Sequence, residues 1–492
     1  MADSAEERLL PSSELVSSGD DFGLRSRVWT ESKKIWRIAF PGIIARVTSF
    51  GTIVMTQLFL GHVSSLALAA FALEQTVFLR FINGIMIGMS SATETLCGQA
   101  FGAGQTHMMG VYLQRSWLVN AFTVTICMPV FIFTRQILVG IGQDASIAAV
   151  AGEVSLWFIP YNYSFVFAFS IQMFLQAQMK NKIIGWLTVP SFILNIALSW
   201  LFVIKLDLGI PGAMIPLIIS TWSTVIGEFV YLFGGWCRDS WKGFSTAAFV
   251  DLWPVVKLSV SSGVMLCLEL WYNSILVLLA GYMSDAAVEI SAFSICLNIN
   301  AWQFMICLGF LAAASVRVSN ELGKGNAAAA KFAMKVTIVT SVSIGVILFV
   351  LCLIFDKQLA YLFTSEEAVA DEISRLSVLL AFSMLLSSVQ AVLNGIAIGS
   401  GQQSLVAIVN LGSYYLLGLP IGACLAYLTD LKVTGLWIGM LSGVSIQVLF
   451  VAFIVWRCDW DAQIEKASSR LKTWYIKPDE ANGSASNGAG PA

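Results

Sequence analysis

From Val336 to Phe355 the chain runs for twenty residues without a charge. A helix rises about 1.5 Å per residue, so such a run matches the roughly 30 Å hydrocarbon core of a bilayer. Runs of this kind recur along the chain, and they decide its solvent. Only 12% of the residues are charged and 57% are hydrophobic, where a soluble domain carries about 25% charged residues. Too little polar surface remains to face water on all sides. Lipid offers the backbone no hydrogen-bond partner, so only helices or a closed barrel can cross it. Barrel strands alternate polar and apolar residues at period two, whereas these runs are apolar all round. The expected class is an all-α polytopic membrane protein.

Twelve apolar segments are expected, at 35–60, 64–94, 109–134, 147–177, 183–206 and 211–236, then 252–281, 286–315, 328–355, 368–399, 404–428 and 433–457. Turn chemistry separates them, as at Gly61, Gly102/Gly104, Pro211/Gly212, Gly323/Gly325 and Gly399/Gly401. Residues 1–32 read as a disordered cytosolic tail, 33–236 as a first lobe, 237–251 as a cytosolic linker, 252–457 as a second lobe and 458–492 as a cytosolic tail. Placing both termini in the cytosol leaves only Arg135, Lys205, Lys357, Arg375 and Lys432 outside, which is the bias the positive-inside rule asks for.

The two halves also repeat. Trp36 matches Trp253 at an offset of 217, Gly61 matches Gly281 at 220, and Gly102/Gly104 match Gly323/Gly325 at 221. Asp207 and Gly212 fall on Asp430 and Gly435 at 223. Each half holds six spans, an even number, so both enter the membrane the same way. The expected architecture is two parallel six-helix repeats with a solute path between them.

Most enzymatic chemistry has no visible machinery here. The nine cysteines lie singly without a CxxC pair, His62 and His107 lie on separate segments, and HExxH, GxSxG and GxxxxGK[ST] are absent. A net charge of −2 gives no reason to expect nucleic acid. The sequons at Asn162 and Asn482 fall in a span and in a cytosolic tail, where glycosylation is not expected. Glu6, Leu9 and Leu10 loosely form an acidic dileucine sorting signal, which points to an endomembrane such as the vacuole.

Several stretches resemble the multidrug and toxic compound extrusion family, in particular its plant detoxification branch. They are SATETLCGQAFGAG at 91–104, GVYLQRSW at 110–117, SSGVMLCLELWYN at 261–273, VRVSNELGKGN at 316–326, VQAVLNGIAIGSGQQ at 389–403 and RCDW at 457–460. The resemblance implies a V of two six-helix bundles and export of organic solutes against H⁺ or Na⁺. It further implies a monomer acting on a flavonoid, an alkaloid or another organic ion, with membrane lipid as its surroundings and H⁺ in place of a cofactor. Three positions depart from the family. Ser387 stands where relatives often carry a carboxylate, Gln402 where a tryptophan is usual, and Asn394 where a serine is usual.

Glu269 is the main candidate for coupling. It lies near the middle of its span, where a charge costs roughly 2.5 kcal/mol or more and needs a partner, water or a proton. Tyr272 and Asn273 sit one turn on, on the same face; a structural, permanently protonated acid is the alternative. Ser387, Gln390 and Asn394 form a polar face at i, i+3 and i+7, which either lines a cavity or ties helices together. Thr48, Thr52 and Thr56, with Gln57 beside them, form a second polar stripe, although threonine hydroxyls often bond back to their own helix. Asn298 and Asn300 point to different faces, so only one of them can join Glu269. Arg46 and Glu74 read as an interhelical ion pair, Glu94 as a loop anchor, and Asp285 and Glu289 as charges at the outer mouth. The function expected is proton-coupled antiport of organic solutes by alternating access, with an anion channel on the same fold as the alternative.

Overall fold

The computed structural model describes residues 23–250, 252–281, 287–364 and 366–473. Among them are twelve helices long and apolar enough to cross a bilayer. The first half holds α1 (Leu24–Val63), α2 (Ser65–Gly102), α3 (Thr106–Ile132), α4 (Ala145–Ala177), α5 (Lys182–Lys205) and α6 (Gly209–Trp236). The second holds α7 (Trp253–Gly281), α8 (Ala287–Gly323), α9 (Ala327–Ile354), α10 (Glu367–Ser400), α11 (Gln403–Leu428) and α12 (Lys432–Arg457). A further helix, α13 (Trp460–Thr473), follows.

Short-range chemistry sets where these helices begin and end. Ser64, Asp144 and Asn326 cap α2, α4 and α9 by accepting backbone N–H bonds from the first turn. The turns after α2 and α8 use Gly104 and Gly325 at φ of 75° and 73°, a left-handed conformation that a Cβ would penalise. Those two glycines stand 221 residues apart (325 − 104), the offset of the sequence repeat.

The packing repeats under a shift of six helices. α1 packs on α5 and α7 on α11; α2 packs on α4 and α8 on α10; α5 packs on α6 and α11 on α12. Across the halves, α1 packs on α8 while α7 packs on α2. Such an exchange is what a twofold axis between two parallel repeats requires.

The apolar clusters show where the halves meet. One cluster, including Phe71, Phe158 and Leu217, draws on the first half alone, and another, including Leu276, Phe293 and Trp437, on the second alone. Both lie in the helix portions far from the face that carries Leu24 and Thr473, termed the terminal face below. Nearer that face the clusters mix. Ile35, Ile38 and Ala39 of α1 pack with Phe310 and Val392, and Val255 and Leu471 pack with Leu96 and Tyr112. The halves are two lobes joined at the terminal face and parted beyond it, a V. Glycines make the join close: a Cβ on Gly102 would stand 2.1 Å from the Asn320 carbonyl, and one on Gly323 would stand 2.1 Å from that of Gln99.

Two tail boundaries need correction. α1 begins at Leu24, so part of the expected 1–32 tail is helical. The reason is Arg317 of α8, whose Nε donates to Glu31 Oε1 at 2.5 Å and whose Nη2 donates to Glu321 Oε1 at 2.8 Å, with all three residues buried. The expected 458–492 tail likewise opens with α13, because Trp460, Ala467 and Leu471 form an apolar stripe that the bundle buries. The segment between the lobes packs under the first lobe, where Gln114 Nε2 donates to the Gly243 carbonyl and the Ser245 N–H donates to Gln114 Oε1.

Candidate functional site

A cavity of about 330 Å³ lies between the lobes. Glu269 and Tyr272 of α7, Ser387 and Gln390 of α10 and Tyr414 of α11 line one wall. Arg46 and Phe50 of α1, Gln75, Arg80, Asn83 and Glu94 of α2 and Gln176 of α4 line the other, and Asn300 and Phe304 of α8 lie between. π-Helical stretches at Gln75–Leu79 and Leu411–Gly418 carry Gln75 and Tyr414. Such bulges insert a residue into the helical register and are frequent at functional sites.

The wall around Glu269 is a chain of hydrogen bonds. Asn394 Nδ2 donates to Glu269 Oε2 at 2.9 Å, and Gln447 Nε2 donates to Asn394 Oδ1 at 3.2 Å. The donors are amides on α10 and α12, so two neighbouring helices orient a carboxyl that α7 supplies. Beside it the Tyr272 and Tyr414 rings stack at 4.8 Å. Tyr272 OH donates to the Gly439 carbonyl at 3.2 Å, and Gln390 Nε2 donates to Tyr414 OH at 2.6 Å. This places an ionisable carboxyl, held by amides, next to a paired aromatic surface. The opposite wall is charged in another way. Arg46 lies over the Phe169 ring at 5.6 Å, and the Ser315 hydroxyl lies beside Glu94. Ser315 is the residue that the offset of 221 places on Glu94 (94 + 221).

The expected site residues divide into three groups. Glu269, Tyr272, Ser387 and Gln390 line the cavity, and Asn394 bonds to Glu269 from behind. Thr48 and Gln57 do not line it; the Thr48 hydroxyl donates to the Ile44 and Ala45 carbonyls of its own helix. Asn298 is exposed and points away, while Asn300, about 200° round the helix, faces the cavity. The Asn273 side chain and Asp285 lie outside the described residues. The ion pair expected between Arg46 and Glu74 is not formed. Glu74 is buried beside Thr134 and Ser155 in the first lobe, away from the cavity, and Arg46 lies over the Phe169 ring instead. Glu94, expected at the end of its span, lies within α2 and lines the cavity. Glu289 sits near Lys432 at 3.4 Å.

Reading the sequence missed Tyr414, Gln447 and the cavity-facing set Arg80, Asn83 and Gln176. Gln447 carried a signal, since a lone amide in an otherwise apolar span must face inward. Tyr414 carried none, because the π-helical stretch that turns it inward leaves no mark in the pattern.

A profile of the MatE family matches residues 41–201 and again 262–424. The second match begins 221 residues after the first (262 − 41). Protein DETOXIFICATION 25 of Arabidopsis thaliana is 52% identical over 471 residues, covering 96% of this chain and 95% of that protein. Protein DETOXIFICATION 24 of the same plant is 51% identical over 461 residues, covering 93% and 92%. The crystal structure of the eukaryotic MATE transporter AtDTX14 has a TM-score of 0.85 at 32% identity, covering 90% of this chain and 99% of that one.

Proposed function

Because the chain belongs to the MatE family of membrane transporters, we propose that it is an antiporter that exchanges protons for organic solutes and carries the solutes out of the cytosol. The observation that carries this reading is the carboxyl of Glu269, held by Asn394 and Gln447 in the wall of a cavity that both lobes share. When ionised, Glu269 accepts from Asn394 and offers the cavity a negative charge. When protonated, it still accepts through one oxygen and gains a donor. The wall changes charge without losing its frame, and a coupling group needs that property.

The cycle follows from the V. With the terminal face in the cytosol, the lobes are closed inward and open outward. Solute enters from the cytosol when the lobes part at that face, with Glu269 ionised. After they rock, a proton from the acidic side binds Glu269 and the solute leaves. The tight floor at Gly102 and Gly323 counts against a continuous pore, and hence against the anion-channel alternative. The stacked tyrosines and neutral amides suit an aromatic solute with polar groups, such as a flavonoid, an alkaloid or another organic ion. The vacuolar membrane is the proposed location, with the protein acting as a monomer and H⁺ as its only coupling partner.

The test is uptake of a panel of fluorescent organic ions into proteoliposomes with the membrane potential clamped to zero. Antiport predicts accumulation that follows the imposed pH gradient and vanishes when it collapses. Downhill flux indifferent to the gradient, with no fixed exchange ratio, would replace antiport by channel behaviour.

A further inference from the structure

The lobes meet at the terminal face along two seams that the twofold repeat makes equivalent, α1 on α8 and α7 on α2. The first seam has its own clamp in the buried Glu31–Arg317–Glu321 cluster. At the second, Leu96 stands at the position equivalent to Arg317 (317 − 221), and no such charged cluster is found among the described residues. A cation instead reaches α2 from outside the twelve spans, on the side where α2 meets α10. Arg470 of α13 donates through Nη1 to Gln99 Oε1 of α2 at 3.3 Å and through Nη2 to the Ser400 carbonyl of α10 at 3.4 Å. One guanidinium therefore joins the first lobe to the second, and its planar fork suits two acceptors at once. Gln99 is itself tied to α10, because its Nε2 donates to the Gly399 carbonyl at 3.3 Å.

The helix that carries Arg470 straddles the same join. Trp460 and Ile464 pack in the cluster dominated by the second lobe, and Leu471 packs in the cluster dominated by the first. Gly401, at φ 77°, clears the space: a Cβ there would stand 2.4 Å from Arg470 Nη1.

We infer that α13 is a clasp on the closed floor, with Arg470 as a positioning residue that ties α2 to α10 and sets how readily the cavity opens to the terminal face. The inference rests on the alternating-access reading above. Opening the floor requires α2 and α10 to part, and Arg470 cannot keep both bonds when they do. The clasp thus stabilises the closed-floor state relative to the open one.

Hydrogen exchange read by mass spectrometry tests this on the full chain in lipid nanodiscs, without any solute. The segments read are 99–105 and 398–403, with the amides of α4 as an internal control. In the wild type both floor segments are expected to be protected. In Arg470→Ala both exchange about tenfold faster while α4 is unchanged, since bonds to a charged group are the ones lost. Arg470→Lys, a point charge that reaches one acceptor, falls between. Acceleration confined to α13, or acceleration of α4 to the same degree, would overturn the clasp while leaving the transport reading intact. A wild-type floor that exchanges without protection would remove the closed floor itself, and the clasp with it.

Discussion

Gly102→Ala tests the closed floor most directly. The added methyl would stand 2.1 Å from the Asn320 carbonyl oxygen, with Gly323 Cα at 3.0 Å. An ordinary contact needs about 3.4 Å or more, and the obstacle is backbone, which cannot rotate aside. The helices α2 and α8 must therefore move apart by over an ångström, and overpacking of that kind costs about 1–3 kcal/mol. The cost falls on the closed-floor state alone, since the lobes separate there when the floor opens. A penalty of about 1–3 kcal/mol on one of two states shifts their ratio about 5- to 150-fold. The assay is labelling of a cysteine placed at Gln176, which is buried and lines the cavity. A membrane-impermeant thiol reagent is added at the terminal face, with Cys127, Cys424 and Cys458, the three least buried cysteines, replaced by serine. Gly140→Ala is the control, because a Cβ there meets nothing within 4 Å. Labelling of Gly102→Ala at the control rate, with an unchanged melting temperature, would refute the reasoning.

Three further outcomes follow from the same geometry. Glu269→Gln retains an oxygen for Asn394 but cannot titrate, so solute accumulation across one pH unit should fall from about tenfold per exchanged proton to none. Near wild-type accumulation in that variant at matched protein levels would remove Glu269 from coupling. Asn394→Ala deletes a donor to a carboxylate, worth about 1.5–3 kcal/mol, and should slow gradient-driven uptake about 10- to 100-fold with little loss of fold, while Gln447→Ala, one bond further out, should cost less. An equal effect of the two substitutions would argue against the relay. Arg317→Met strands Glu31 and Glu321 inside the seam and should cost about 3–5 kcal/mol, softened by the half-exposed Lys34 and Lys324. Glu31→Gln, Arg317→Met and Glu321→Gln together should restore most of that loss in thermal denaturation, and an equal loss in both variants would mean that the charges do not govern the seam.

The membrane class, the count of spans and the repeat were legible in the sequence because they depend on quantities that add along the chain. Transfer into lipid sums over a window of about 20 residues, and a helix of that length crosses whatever it packs against. The repeat spacing of 221 was legible because Gly104 and Gly325 sit in turns whose left-handed backbone needs glycine locally, each two residues after a glycine, Gly102 or Gly323, that ends the preceding helix. Glu269, Gln390 and Asn394 were legible as inward-facing because lipid penalises a polar group wherever it lies.

What each helix faces was decided only by the tertiary structure. Lipid tails are as apolar as a protein core, so an apolar helix shows no stripe that marks its partner. Arg46 therefore gave no sign that it would lie over the Phe169 ring instead of pairing with Glu74, since only the packing of α1 in the bundle decides which side chains it meets. Thr48 and Asn298 have the polarity of cavity residues, yet the turn of their helices carries them elsewhere. Tyr414 faces the cavity only because a π-helical stretch shifts its register. The ends of the chain show the same limit: Leu24 to Glu31 and α13 are polar enough to read as tails, and they are ordered by Arg317 and by the joined lobes, contacts hundreds of residues away that no local pattern encodes.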